Sequence, residues 1–485
     1  MHTRRCRLNV PLSMFSDGGN MIKTKKSDFM TKLEELLPNT REMTDNPEVV
    51  IFDGMAIVQT LPMNSEKWTF TDMGARFQQY TLSKAREISP KVTKIHIIFD
   101  KYSINGLKTE TRKYRGDCSQ SGCRNVDVRG ELRVPKDWKM FLSNGQNKER
   151  LIQFYSGYMA EHACTKLKAQ EVLLINGGKS TPCVIVTTNG CCNQPILDTN
   201  QEEADTVMIL HAKYEADKGS TCIAIHSPDT DVLVLLLHHY RYIGAAHLYM
   251  STGRVTLHTD GRRFIPVHQL IDKLPKYQLN IMLSVFCITR IFGKGKRRAF
   301  KLLTERASNY QPLFNLGDEL LLSDLQRTAC TRFVISLYGG SDVQQTLHHL
   351  RCIKAKSSVH PRNIPPTADS LNLHLQRCVI QLWIWRHAIT AQHDLPPFTD
   401  FGYEIDEDGL TPKTMSQPAA APELLNDLVC RCEICSETCV CFANRQPCTV
   451  ACSCTENTNT DDMMCTNVNT LESVLVKDTE SSDDE

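Results

Sequence analysis

Two short runs, EVVIFDGMAIVQ and KIHIIFDKYS, share one pattern: successive apolar, mostly β-branched positions closed by an acid, Asp53 in the first and Asp100 in the second. Near-continuous apolar runs of this length predict buried strands. Further strand candidates lie at 172–175, 184–186 and 222–226. Between them, apolar positions recur at helical spacing and predict helices at 72–88, 147–167 and 202–214, with another near 25–37. Alternation of strand and helix over about 200 residues predicts an α/β fold built on a parallel sheet flanked by helices. In such sheets, sites gather outside the carboxyl ends of the strands. Residues 306–420 read as mostly helical, with QLWIWRHAI suited to core packing and PPFTDFGYEIDEDG as an ordered loop whose aromatics cover the core. The closing KDTESSDDE is acidic and expected to be disordered.

A chain of 485 residues leads us to expect two to four domains, and its net charge of +1 provides no global basic field. Nucleic-acid binding would therefore depend on local patches. No run of about 18 apolar residues predicts a membrane span, and the basic N-terminus lacks the apolar stretch of a signal peptide. Of 21 cysteines, twelve are scattered and nine crowd between Cys430 and Cys465. That distribution predicts a thiolate metal site in a reducing compartment, not a disulfide scaffold.

The run IAIHSPDTDVLVLLLHHY places Asp229 and Asp231 at the mouth of a strongly apolar segment. A carboxylate beside a core costs several kcal/mol unless it is compensated. Helix capping is one compensation, since SPD before an apolar run is a helix-start signal. A metal ion is another. Taken with Asp53, Asp100, and Glu203 and Asp205 in QEEADTVMILHA, the pair completes six acids at element ends. Such a set suits Mg2+ or Mn2+, hard ions that take oxygen ligands. Two such ions can hold the attacking and leaving oxygens of a phosphodiester in line.

VIFDG, IIFDK, EEADTVMILHA and SPDTDVLVLLL, in that order, resemble the PIN-like domain of flap-endonuclease-type nucleases, in particular a mobile-element-derived animal group. The likeness spans roughly residues 46–305. It implies one metal on Asp53, Asp100, Glu203 and Asp205 and a second on Asp229 and Asp231. In a regular helix Glu203 and Asp205 would point about 200° apart, so Glu203 must sit in the turn leading into the helix. The resemblance also places basic residues near the scissile phosphate; KYSINGLKTETRKYRG supplies Lys108, Arg112, Lys113 and Arg115, and a solvated basic loop is the other reading. A hairpin follows at GKGKRRAF, where Gly293, Gly295, Lys296, Arg297 and Arg298 would meet a nucleic-acid backbone. The acidic loop expected before it is missing: Cys287, Ile288, Thr289 and Arg290 stand there, leaving the second metal position weak or empty.

CRCEICSETCVCFANRQPCTVACSC sets Cys430, Cys432, Cys435, Cys439, Cys441, Cys448, Cys452 and Cys454 at zinc-ligand spacing, with Cys465 beyond. Three zinc ions need about twelve ligand positions, which nine thiolates fill if about three bridge. The pattern resembles the tesmin-type CXC domain, which implies a zinc–thiolate cluster and, in several members, DNA binding; only Arg431 and Arg445 lie inside the motif. The pairs His238–His239 and His348–His349 read as surface or satisfied core histidines. The expected division is an arm (1–46), a PIN-like domain (47–305) with a helix-hairpin segment (291–305), a helical extension (306–422), a zinc module (423–467) and an acidic tail (468–485). Two functions are open on this reading. One is a Mg2+- or Mn2+-dependent phosphodiesterase acting on DNA or RNA. The other is a catalytically inactive nucleic-acid-binding or scaffold protein working through the zinc module. Nuclear residence is expected of either.

Overall fold

The computed structural model describes residues 12–16, 21–22, 24–61, 67–102, 124–178, 181–253, 259–291, 294–341, 345–356, 361–406 and 409–417, with 430, 432, 435–446, 448, 452, 454 and 467. Helix α1 (Ser27–Glu34) comes first. Strand β1 (Val49–Asp53) runs directly into α2 (Gly54–Thr60), followed by α3 (Phe70–Ile88) and β2 (Lys94–Ile98). Helices α4 (Trp138–Ser143) and α5 (Gly145–His162) precede β3 (Val172–Asn176), β4 (Val184–Thr187) and β5 (Gly190–Asn193). Then come α6 (Ala204–Asp217), β6 (Cys222–His226), α7 (Thr230–Ile243), β7 (His247–Thr252), β8 (Arg263–Pro266) and α8 (Val267–Lys273). Helices α9 (Lys276–Ile288), α10 (Lys296–Arg306), α11 (Asp324–Leu337), α12 (Leu347–Lys356) and α13 (Ala368–Arg386) follow. A hairpin of β9 (Tyr403–Asp406) and β10 (Gly409–Pro412) comes next, and α14 (Val440–Ala443) lies among the cysteines.

Eight strands form one sheet in the order β5-β4-β3-β2-β1-β6-β7-β8. The five central strands are parallel; β4, β5 and β8 run antiparallel to their inner neighbours. The apolar runs are nearly continuous because both faces are covered, with buried His96 as the polar position in β2. Val49 and Ile51 join the core on one face, and Val50 and Phe52 the core on the other. Helices α3 and α5 cover the Val50 face, where Phe77 stacks on Tyr155. The Val49 face carries α6 and α7 and then the helices after residue 276, whose Phe333, Val379 and Trp385 share that same core. Helix α1 belongs there too: Phe29 meets Phe286 and Phe300 edge-on, each at 5.2 Å.

Strands β7 and β8 had no clear signature in the sequence. HLYMST mixes polar and apolar positions, yet it is buried from Leu248 onward because it lies between β6 and β8. The 403–412 segment is a two-stranded hairpin and not a loop; Phe401 and Tyr403 do cover the core. Among the described residues, no helix is long and apolar enough to cross a membrane.

Candidate functional site: a carboxylate cluster and a thiolate cluster

From β1 the chain builds outward through β2, β3, β4 and β5, then returns to lay β6 on the other side of β1. The carboxyl ends of β1 and β6, where the strand order reverses, are the position where ligands bind in open α/β sheets. Asp53 closes β1 and caps α2, accepting from the Ala56 amide at 3.0 Å. Asp100, two residues past β2, accepts from the Ala204 amide at 2.9 Å and so caps α6 from a distant part of the chain. It can do so because Glu203, the residue before α6, makes no capping bond with its own side chain. Glu203 is extended (φ −94°, ψ 123°), which places it in the turn leading into the helix and removes the 200° conflict with Asp205. Its Oε2 accepts from the indole of Trp385 at 3.1 Å and lies 3.5 Å from Gln381 Nε2, both on α13.

Asp229 caps α7, accepting from the Asp231 amide at 3.1 Å, while its own amide donates to Ser227 Oγ. Capping and clustering therefore coexist. Asp205, Asp229 and Asp231 each offer an oxygen, and these atoms all lie within 4.8 Å of one another. Asp53, Asp100 and Glu203 are outside this triad. Asp231 is buried, with one oxygen paired to the Lys26 ammonium from just before α1 and the other, Oδ1, lacking a hydrogen-bond partner. Burial alone would raise its pKa. The Lys26 ammonium, with Arg290 and Lys296 beyond it, outweighs that and holds the carboxyl below the ordinary range.

Three carboxylates, one of them with an orphaned buried oxygen, could hold one metal ion. Besides Asp205 and Asp229, the charges that act on Asp231 are the cations Lys26, Arg290 and Lys296. Arg290 comes from the segment where a further acid was expected. Lys296 is buried, bonded to the Phe286 carbonyl and to Thr289 Oγ1 at 2.8 Å, and lies 4.0 Å from the Phe286 ring centre. Burial, reinforced by Arg290, pulls its pKa down to about 7.

The expected nucleic-acid contacts divide. Gly295 immediately precedes α10, and Arg297 and Arg298 are exposed on its first turn, with Arg297 Nε 3.4 Å from Asp28. Lys296, expected among them, instead points into the protein. It shares the helix's core-facing side with Ala299, Phe300 and Leu303. Lys108, Arg112, Lys113, Arg115 and Gly293 lie outside the described residues. Lys26 and Trp385 were missed as partners of the acids. Neither carries a local signal: one precedes an unremarkable helix and the other sits in a stretch that reads as core.

Eight of the nine clustered cysteines are described, all unoxidised, and Cys465 lies outside. Three groups of four each suit one metal ion: Cys430, Cys435, Cys448 and Cys454; Cys430, Cys441, Cys448 and Cys452; Cys430, Cys432, Cys435 and Cys439. Cys430 belongs to all three, and Cys435 and Cys448 to two each, so ions placed in more than one group would have to share thiolates. Sulfur separations are 3.5 Å for Cys430–Cys454 and Cys435–Cys448, 3.6 Å for Cys441–Cys452, and 3.8 Å for Cys430–Cys448. A tetrahedron with Zn–S near 2.3 Å has edges of about 3.8 Å, whereas a disulfide needs about 2.05 Å. The cluster can therefore hold metal, and zinc suits it. Asn467, fully buried, donates to Cys448 Sγ at 3.1 Å and to the Gln446 carbonyl at 2.9 Å, the kind of outer contact that orients a metal-bound thiolate.

No known family model matches the chain, and no curated protein matches it significantly.

Proposed function

We propose that this chain is a PIN-like, flap-endonuclease-type protein that engages DNA or RNA at the carboxyl end of its sheet, with one Mg2+ or Mn2+ on Asp205, Asp229 and Asp231 and a CXC-type zinc module at 423–467. The convergence of those three acids at the topological switch point carries the reading. A bound divalent ion would polarise a phosphate oxygen and lower the pKa of a water. The chain's own residues set the stage. Asp53, Asp100 and Asp229 fix the starts of α2, α6 and α7, so three helices begin at the carboxyl end of the sheet. Partial positive charge at helix starts favours a phosphate. Arg297 and Arg298 add sequence-independent attraction from α10.

A second reading, binding without turnover, rests on a specific observation: Lys26, Arg290 and Lys296 already balance the acids, so the site is tolerable with no metal. Cleavage of branched and single-stranded substrates in Mn2+ separates the two. Asp229→Asn and Asp100→Asn keep an oxygen that can serve the same cap, and thus remove charge without disturbing the helices. Under the enzyme reading, Asp229→Asn lowers the rate by about 100-fold or more. Equal background rates in all three proteins, with nucleic-acid binding intact, would eliminate turnover and leave the second reading.

A further inference from the structure

At the opposite end of the sheet, where β1, β6 and β7 begin, a second group of metal-ligand side chains meets. Asp45 lies four residues before β1, His247 opens β7, and His268 is the second residue of α8. One ligand atom from each lies within 4.8 Å of the other two. His247 Nδ1 is 3.2 Å from Asp45 Oδ2, yet it is buried and makes no aligned hydrogen bond. The two imidazoles meet nearly at right angles, 5.2 Å apart.

The surroundings hold these groups in place. Tyr249 donates its hydroxyl to Asp45 Oδ2 at 2.5 Å, and Thr44 Oγ1 bonds the same oxygen at 3.0 Å. His268 Nδ1 is 3.1 Å from the Leu248 carbonyl and 3.3 Å from the Leu248 amide. With the proton on Nδ1 the ring donates to that carbonyl, and Nε2 carries the lone pair for a metal. A histidine that donates one ring N–H to a backbone carbonyl, beside a carboxylate held by a hydroxyl, is the usual outer support of a metal site. The group stays reachable: Asp45 also borders a cavity of about 370 Å3, and the His247 side chain is 44% exposed.

We propose that Asp45, His247 and His268 bind a divalent transition-metal ion, with zinc as the ion best matched to two imidazoles and one carboxylate and with water in the fourth position. Zn–N and Zn–O distances of about 2.0–2.2 Å require each ligand to close in by less than about 1 Å. Mg2+ is disfavoured by the nitrogen donors. The ion would tie the segment before β1 to β7 and α8, and its open position could accept a further ligand. This site is independent of the acid triad and of the cysteine cluster.

Co2+ titration of the metal-stripped full-length chain tests the proposal, because cobalt on thiolates gives strong charge-transfer absorption and cobalt on nitrogen and oxygen does not. The wild type should take up one more Co2+ than the His247→Ala/His268→Ala double variant at equal thiolate absorption. Asp205→Asn should leave this extra ion in place. Asp45→Asn, which keeps an acceptor for Tyr249, should weaken binding of that ion about tenfold or more. Equal cobalt uptake by the wild type and the double variant, or undiminished affinity in Asp45→Asn, would overturn the proposal.

Discussion

Lys26→Met isolates the contact on which the acid cluster most depends. Methionine keeps an apolar stem of similar length and deletes the ammonium that pairs with Asp231. Breaking a buried ion pair from one side costs about 3–5 kcal/mol. Here the lysine side chain is 29% exposed and the aspartate 7%, and Arg290 and Lys296 remain, so solvent screening reduces the expected loss to about 1–3 kcal/mol. A divalent ion reverses the sign. An ammonium about 5 Å from a 2+ charge is repelled by about 3–7 kcal/mol at an effective dielectric constant of about 20–40. The lysine escapes most of that by swinging into solvent, which leaves a net penalty on metal binding of about 1–3 kcal/mol. Deleting it should therefore tighten Mn2+ binding by about 10- to 100-fold while lowering the metal-free Tm. Free Mn2+ counted by electron paramagnetic resonance, with zinc held saturating, gives the first quantity and calorimetry the second. Asp231→Asn should lose affinity. If Lys26→Met bound Mn2+ no more tightly than wild type, or if Asp231→Asn bound it equally well, the triad would not be the cation site.

Three further expectations follow from individual contacts. Lys296 has a folded pKa near 7 against about 10.4 unfolded, so between those values the unfolded chain holds the extra proton and stability rises with pH. Relative to Lys296→Met, the wild type should gain about 1–3 kcal/mol between pH 7 and about pH 9 in urea unfolding, and parallel profiles would refute the buried-charge account. Asp100→Ala strands the Ala204 amide at the start of α6 and should lower stability by about 1–2 kcal/mol in the same assay, whereas Asp100→Asn should change it by less than about 0.5. Cys430→Ser touches all three thiolate groups and Cys432→Ser only one, so zinc counted by elemental analysis should fall further in the first variant; equal losses would exclude Cys430 as the shared ligand.

What the sequence revealed was local. The strands ending at Asp53 and near Asp100, the extended Glu203 and the cysteine spacing all depend on neighbours a few positions away. Pattern and propensity report on that range. The partners of the acids were hidden because they are distant: Lys26 is 205 residues from Asp231, and Trp385 is 182 from Glu203. An ion pair or an indole hydrogen bond of that span leaves no periodicity to read. Strand β7 escaped for a related reason, since its Ser251 and Thr252 are buried by neighbouring strands and not by any apolar run of their own.

The bond from Trp385 to Glu203 has a consequence for how the molecule is made. Strand β6 is complete at residue 226, but the indole that secures the mouth of α6 is not synthesised until about 160 residues later. At about 5–20 residues per second, that interval is roughly 8–32 s on the ribosome. Until α9 and α13 arrive, α6 and α7 cover the sheet but have nothing packed on their own outer apolar side, and Glu203 lacks the Trp385 donor. The acid end is thus a late product of translation, and the emerging chain should be a client of ribosome-associated chaperones until α13 arrives.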